Sequence, residues 1–287
     1  MPSDEHLLRL KRLRALINHN LSELVPCTNG SADGVQAAMR YALLSPGKRV
    51  RPILALLSAE HLGCSAIVAM PVACALELVH AASLVLDDLP CMDNAGTRRG
   101  LPSVHVRFGE NIAILTGIAL LNMAFSVLAR SPSIDAEARA QMIGVLAHTV
   151  GTEGLVAGQE SDLQRRDSLN FGSLSQLHHQ KTGVLFIASV EMGALAAGAT
   201  PSIRNSLRYF AQELGLAFQA LDDLEDEPEL AEIAEPSSNM LTILSKADLR
   251  HEASRRLFRA KAALTDAGPP LSPIGAYVDL LLGHAHA

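Results

Sequence analysis

Apolar positions recur along this chain at spacings of three and four, with polar residues between them, and almost nowhere alternate one for one. That pattern predicts helices and leaves little room for strands. With prolines, glycines and polar clusters read as boundaries, helices are expected over 5–24, 33–44, 51–62, 66–88, 109–130, 135–165, 173–199 and 201–226. More helix follows as far as the tail Gly-His-Ala-His-Ala. Pro26 stops the first helix, Ser45-Pro46-Gly47 the second, and Thr200-Pro201 parts the last pair. Pro71 predicts a kink within 66–88, and a polar loop runs from Pro90 to Pro102. Residues 227–239 are acidic, hold two prolines and read as a mobile flap. There is no internal repeat and no long linker, so the expectation is an all-α, single-domain helical bundle over 1–287.

Composition sharpens this picture. Hydrophobic residues make up 48% of the 287, ample for a large core, yet aromatics are only 3%. The core must therefore be built from Ala and Leu, which also favour helix. A net charge of −6 argues against nucleic-acid binding. Cys27, Cys64, Cys74 and Cys91 lack metal-ligand spacing and read as reduced thiols of a cytoplasmic protein. The N-terminus is a charged amphipathic helix without a signal-peptide core. Ile112–Val127 carries no charge, but it is short for a membrane span and contains Gly117, Asn122 and Ser126. It reads as a buried central helix, as does Ile187–Ala199, which Glu191 interrupts; no membrane span is expected.

Two acidic clusters stand out: Asp87-Asp88 with Asp93, and Asp222-Asp223 with Asp226. A like-charged pair at about 4 Å costs roughly 4 kcal/mol at an effective dielectric near 20, so clusters of this kind suggest a cation. Oxygen-only donors favour a hard divalent ion. His80, Ser83, Leu84 and Asp87 share one helical stripe, and Pro90 ends that helix near Asp88. A straight helix would carry Asp93 about 120° away from Asp87, so a returning turn is needed. A helix C-terminus is already rich in carbonyls, which makes it a poor place for an anion unless a cation is bound. Gln219, Asp222, Asp223 and Asp226 form a second stripe, Gln159 and Asp162 lie three apart, and Lys181-Thr182 puts a cation beside a hydroxyl. Basic residues gather in Lys48-Arg49-Val50-Arg51 and in Arg98-Arg99. Acids that hold metal and bases that hold phosphate are what a diphosphate substrate requires.

These motifs carry a resemblance. Glu77 to Gly100, with His80, all three cluster-one aspartates and Arg98-Arg99, resembles the first aspartate-rich motif of trans-isoprenyl diphosphate synthases. Gly47-Lys48-Arg49-Val50-Arg51-Pro52 is similar to that family's basic motif, and Gly158–Leu163, Lys181-Thr182 and Phe218–Asp226 follow in the family's order. The likeness spans about residues 35–245 and is nearest to bacterial geranylgeranyl diphosphate synthases. It implies an all-α fold around a deep central cavity, a homodimer and Mg²⁺ as cofactor. Its substrates would be isopentenyl diphosphate and an allylic diphosphate (dimethylallyl, geranyl or farnesyl). Asp87, Asp93 and Asp222 would ligate the metal, with Asp88, Asp223 and Asp226 supporting the site. Arg98, Lys181 and Gln219 would face the allylic substrate, and Lys48, Arg51, His80 and Arg99 would hold isopentenyl diphosphate. Gln159, Asp162 and Thr182 complete the substrate-binding set. Asp87, Asp88, Asp93, Lys181, Asp222 and Asp223 form the catalytic set, with Asp88 and Asp226 counted among the metal carboxylates.

The resemblance also bears on product length. The growing chain should run from Asp87 towards the start of its helix, past Ala82 and Ser83, where short-product members often carry an aromatic. Small residues there imply a C20 product; Val79, Met123 and Phe125 are deeper floor candidates. The chain departs from the family after Asp226, where two lysines are absent, and at Leu86, where a His often stands. Farnesyl diphosphate synthesis, a weakly active or non-catalytic partner subunit, and a terpene cyclase are the alternative readings.

Overall fold

The computed structural model describes residues 4–25, 34–164, 170–225, 239–267 and 273–285. Its helices are α1 (Asp4–Leu24), α2 (Val35–Leu44), α3 (Val50–His61), α4 (Ala66–Asp87), α5 (Val104–Phe108), α6 (Glu110–Ala129) and α7 (Ala136–Val150). They continue with α8 (Leu155–Leu163), α9 (Phe171–His178), α10 (Val184–Ala196), α11 (Pro201–Glu225), α12 (Lys246–Ala267) and α13 (Pro273–Ala285). A two-residue hairpin pairs β1 (Thr97–Arg98) with β2 (Leu101–Pro102), and a 3-10 turn covers Met240–Thr242. The all-α expectation holds.

Four helices make the centre. α10 buries nearly every residue from Leu185 to Leu195 and packs between α3, α4 and α11. Helices that are apolar all round belong in such a place. At Gly193 a Cβ would lie 2.3 Å from the Ala55 carbonyl oxygen, so only glycine lets α10 press its backbone on α3. Ser58 Oγ fixes the same contact by donating to the Val190 carbonyl at 2.8 Å. This close packing sets the start of α3, with Arg51, beside the start of α10, with Phe186. α4 begins at Ser65, whose hydroxyl accepts the Ile67 N–H at 3.3 Å, and then runs buried against α3 and α6. Each fully buried Leu there, such as Leu76 and Leu78, contributes on the order of 1.5–3 kcal/mol.

Three expectations need correction. The helix expected over 135–165 breaks into α7 and α8 at Gly151–Gly154, a turn that requires glycine at 154, where a Cβ would stand 2.0 Å from the Thr149 carbonyl oxygen. The sequence there, Gly-Thr-Glu-Gly, carries a breaker signal that the helix pattern on either side overrode in the reading. Residues 171–196 form one rod, but a π turn at His179–Gly183 sits between α9 and α10. Finally, α6 is not buried throughout. Ala113, Thr116, Gly117, Leu120, Ala124 and Leu128 face inward, while Ile114, Leu115 and Ile118 are exposed. Both α4 and α6 are long and apolar enough to cross a membrane. The described cysteines, Cys64, Cys74 and Cys91, are free thiols, and burial pushes Cys74 up to about 12.

Candidate active site

The first aspartate cluster lies where α4 ends. Beyond Asp87 the chain turns back: the Met92 and Asn94 N–H groups donate to the Leu89 carbonyl at 2.9 and 3.0 Å. The Asp93 N–H donates to the Asp87 carbonyl at 2.9 Å. Asn94 adopts φ 49°, a left-handed conformation that asparagine tolerates better than most residues. The turn thus brings Asp93 back to Asp87. Burial pushes the Asp87 carboxyl up to about 6, against the pull of Lys181, and the neighbouring Asp93 and Asp88 charges add to the rise.

In each Asp-Asp pair the second residue turns inward. Asp88 is 2% exposed and accepts Arg98 Nε at 2.9 Å as well as Arg98 Nη2. Asp223 is 3% exposed and accepts Gln219 Nε2 at 2.8 Å and the Met240 N–H at 2.7 Å. The Asp223 carbonyl takes Asn239 Nδ2 at 2.9 Å, so this residue anchors the segment that leads into α12. Asp222, by contrast, faces Lys48, whose Nζ lies 4.0 Å from its Oδ1 and 3.2 Å from Glu225 Oε2. Asp226, the acidic stretch 227–238 and the missing-lysine segment within it lie outside the described residues.

A run of contacts joins the two clusters. Gln159 Nε2 donates to Asp93 Oδ1 at 3.3 Å. One turn further along α8, Asp162 pairs with Lys181. Next to Lys181, Thr182 Oγ1 donates to Gln219 Oε1 at 3.1 Å, and Gln219 leads on to Asp223. The π turn presents Lys181 to α8 and Thr182 to α11 in succession; such turns recur at functional sites. Gly158 makes room for it, since a Cβ there would lie 2.9 Å from the Lys181 backbone nitrogen.

The basic residues gather two turns earlier on α4, around His80. Arg51 Nη1 lies 3.5 Å and Arg99 Nη2 3.3 Å from the same ring nitrogen, His80 Nε2. Arg51 also stands over the Phe186 ring, with Cζ 5.4 Å from its centroid, and its Nε is buried without a partner. Arg99 sits in the hairpin turn at φ 55° and lies flat on Gly47, where a Cβ would come within 2.7 Å of Nη1. The sequence placed Lys48 with this group; the structure turns it to α11 instead. Of the residues beside the expected tunnel, Ala82 is fully buried, whereas Ser83 is half-buried with its hydroxyl donating to the His80 carbonyl at 3.0 Å.

The sequence reading missed one pair. Arg49 and Glu77 form a buried ion pair, with side chains 2% and 3% exposed. Arg49 also donates to Asn18 Oδ1 at 2.9 Å, to the Leu43 carbonyl at 2.7 Å and to the Ser45 carbonyl at 3.1 Å. It ties α1, α2 and α4 together beneath Arg51 and Arg99. The available signal was Glu77 itself, an acid in an apolar helix three residues before His80.

Among the described residues no three Asp, Glu, His or Cys side chains close round a metal ion by themselves. The donors at Asp87 and Asp93 are nevertheless hard carboxylate oxygens, and burial disfavours the charge of Asp87, which suits a divalent cation.

Comparison with known proteins agrees with this geometry. Residues 33–232 match the family model described as polyprenyl synthetase. A geranylgeranyl diphosphate synthase of Pantoea ananas is 44% identical over 226 residues, covering 77% of this chain and 74% of the relative. One of Pseudescherichia vulneris is 41% identical over 284 residues, covering 95% and 91%. The crystal structure of an FPP/GFPP synthase from Zymomonas mobilis superposes with a TM-score of 0.88 at 30% identity, covering 97% of this chain and 99% of that one. With acidic clusters, basic motifs, fold and relatives in agreement, the chain belongs to the polyprenyl synthetase family.

Proposed function

We propose that this chain is a geranylgeranyl diphosphate synthase, which extends an allylic diphosphate with isopentenyl diphosphate to a C20 product. One observation carries the reading: α4 serves two separate polar sites on one face. His80, with Arg51 and Arg99, lies about 10 Å along the helix from Asp87, with Asp93, Lys181 and Arg98 nearby. Two charged ends can therefore be held apart while the reacting carbons meet between them.

The acidic site suits the allylic diphosphate. Asp87, Asp93 and Asp222 are the residues we assign to Mg²⁺, which when bound would neutralise charge on the departing diphosphate. Lys181 and Gln159 line the same opening, and Asp88 aims Arg98 at it. Asp223 and Thr182 orient Gln219. The C1–O bond breaks with its electron pair leaving on diphosphate, and positive charge develops on the allylic carbon. Fixed cations aimed at the leaving group stabilise that separation. Arg51 and Arg99 hold isopentenyl diphosphate so that its double bond attacks C1. The proton then lost from C2 goes to the departed diphosphate. The Ala- and Leu-rich walls keep water from the cation.

The growing chain is assigned to the path beside Ser83, towards the start of α4. The exposed Ile114, Leu115 and Ile118 of α6 are assigned to a second copy, and the cytoplasm is the compartment proposed. The test is incorporation of radiolabelled isopentenyl diphosphate with dimethylallyl, geranyl and farnesyl primers and Mg²⁺. Geranylgeranyl diphosphate should accumulate; absence of incorporation with every primer would remove the synthase reading.

A further inference from the structure

The hairpin of β1 and β2 carries Arg98 and Arg99 on very little structure of its own. Its ladder has only two pairs, Thr97 with Pro102 and Arg98 with Leu101. Arg99 and Gly100, at φ 55° and 74°, form the tight two-residue turn between the strands. A hairpin this short is not stable alone. Packing does not fix its place either, because a cavity opens between it and α4. That cavity is lined by Ala42 of α2, by Ala81, Leu84 and Val85 of α4, and by Arg99 and Leu101 of the hairpin. Where the hairpin sits therefore depends on ties to other elements.

Those ties are of two kinds. Asp88 holds the Arg98 guanidinium and Gly47 seats that of Arg99, so both act on side chains. Tyr41 of α2 acts on the backbone. Its hydroxyl donates to the Pro102 carbonyl at 2.7 Å, and among the described residues no other element hydrogen-bonds the backbone of 97–102. Pro102 has no N–H to give the ladder, which leaves that carbonyl as its one polar group. The Tyr41 ring is itself clamped. The Arg107 guanidinium lies over it, with Cζ 4.3 Å from the centroid, and Phe108 meets it edge-on with centroids 5.4 Å apart. Both residues belong to α5, which follows the hairpin directly. The chain thus leaves the hairpin and grips the very side chain that ties the hairpin to α2. We propose that Tyr41 is a positioning residue for Arg99: through the Pro102 carbonyl it fixes the hairpin backbone, so that the Arg99 guanidinium stands where isopentenyl diphosphate arrives. This rests on the assignment of Arg99 to that substrate. Arg98 depends on Tyr41 less, because Asp88 holds its guanidinium directly.

Tyr41→Phe keeps the ring and its contacts with Arg107 and Phe108 and removes only the donor. It should raise the KM for isopentenyl diphosphate about three- to tenfold, with kcat and the allylic KM moving less than about twofold. Tm should stay within about 2 °C of the unmodified protein. In an Arg99→Ala background the same substitution should add nothing to the KM, because the side chain it acts through is gone. An unchanged KM in Tyr41→Phe would overturn the proposal, as would effects of Tyr41→Phe and Arg99→Ala that multiply in the double variant. A fall in Tm with kcat and both KM values shifting together would overturn it too, since that marks a structural role alone. If Arg99→Ala by itself leaves the KM for isopentenyl diphosphate unchanged, the pocket assignment has failed and the role of Tyr41 falls with it. That single variant keeps the two failures apart.

Discussion

Asp93 donates its backbone N–H to the Asp87 carbonyl at 2.9 Å, and this one bond returns the third carboxylate of the cluster to the first. The Asp87 carboxyl is pushed up to about 6, first by burial, with the returned Asp93 charge adding to the rise. For an acid with a raised folded value, the folded state binds its proton more tightly. The group is therefore most favourable to folding below the unfolded value near 3.8, and its contribution is lost as pH rises towards 6. Asp87→Asn should stabilise the metal-free protein at pH 7.5 by roughly 1–3 kcal/mol, and hardly at all near pH 4. Scanning calorimetry in chelator checks this; a difference independent of pH would refute it. In the unmodified protein, Mg²⁺ with inorganic diphosphate should raise Tm more at pH 7.5 than at pH 5.5.

Ala82 and Ser83 respond differently to enlargement. Ser83 is half-buried beside the expected path of the growing chain, so Ser83→Phe should keep the fold and shift product from C20 towards C15. Ala82 is fully buried, and Ala82→Phe should cost about 1–3 kcal/mol by overpacking. Chromatography of dephosphorylated products and thermal melts separate the two. An unchanged C20 profile in Ser83→Phe would end the assignment of the path.

Removal of either partner of the Arg49–Glu77 pair leaves a buried charge uncompensated. Glu77→Leu should therefore cost about 3–5 kcal/mol. The double variant Arg49→Met with Glu77→Leu should recover a large part of that, as measured by urea unfolding. A double variant as unstable as Glu77→Leu would mean that the bonds from Arg49 to Leu43 and Ser45 matter more than its charge.

His61 is 4% exposed and neither ring nitrogen has a partner, and burial lowers its affinity for a proton. For a base with a depressed folded value, the unfolded state takes the proton first, so stability is full above the unfolded value near 6.5 and falls as pH drops below it. His61→Leu should flatten the stability profile between about pH 5 and 7 and stabilise the protein by about 1–3 kcal/mol. Denaturation midpoints at several pH values decide this; a slope equal to that of the unmodified protein would count against it.

The parts of the site that were legible in sequence are those fixed by local spacing. His80 and Asp87 lie on one stripe of α4 because helical geometry leaves no other choice, and Pro90 forecast the turn that returns Asp93. The stripe of Gln219, Asp222 and Asp223 was visible too, but not that Asp223 would turn to Met240 while Asp222 faced Lys48. Those partners lie 17 and 174 residues away, and side-chain spacing carries no information about them. Arg49 and Glu77 escaped notice for the same reason, being 28 residues apart. The break at Gly151–Gly154 was marked by its two glycines and passed over, whereas the outward face of α6 was hidden because apolar residues fill both sides of that helix, so apolar periodicity stops marking the core.

The π turn at His179–Gly183 has a consequence for how the chain can change. A wide turn of this kind accommodates one residue beyond the ordinary helical count, so α9 and α10 share an axis without sharing rotational phase. Deletion of Gln180 would let them fuse into a regular rod and swing α9 by about 100° relative to α10. Lys181 and Thr182 would then leave Asp162 and Gln219 behind, although no charged group had been removed. Phase along this rod is thus a heritable setting of its own, adjustable by the length of the chain rather than by the identity of any side chain.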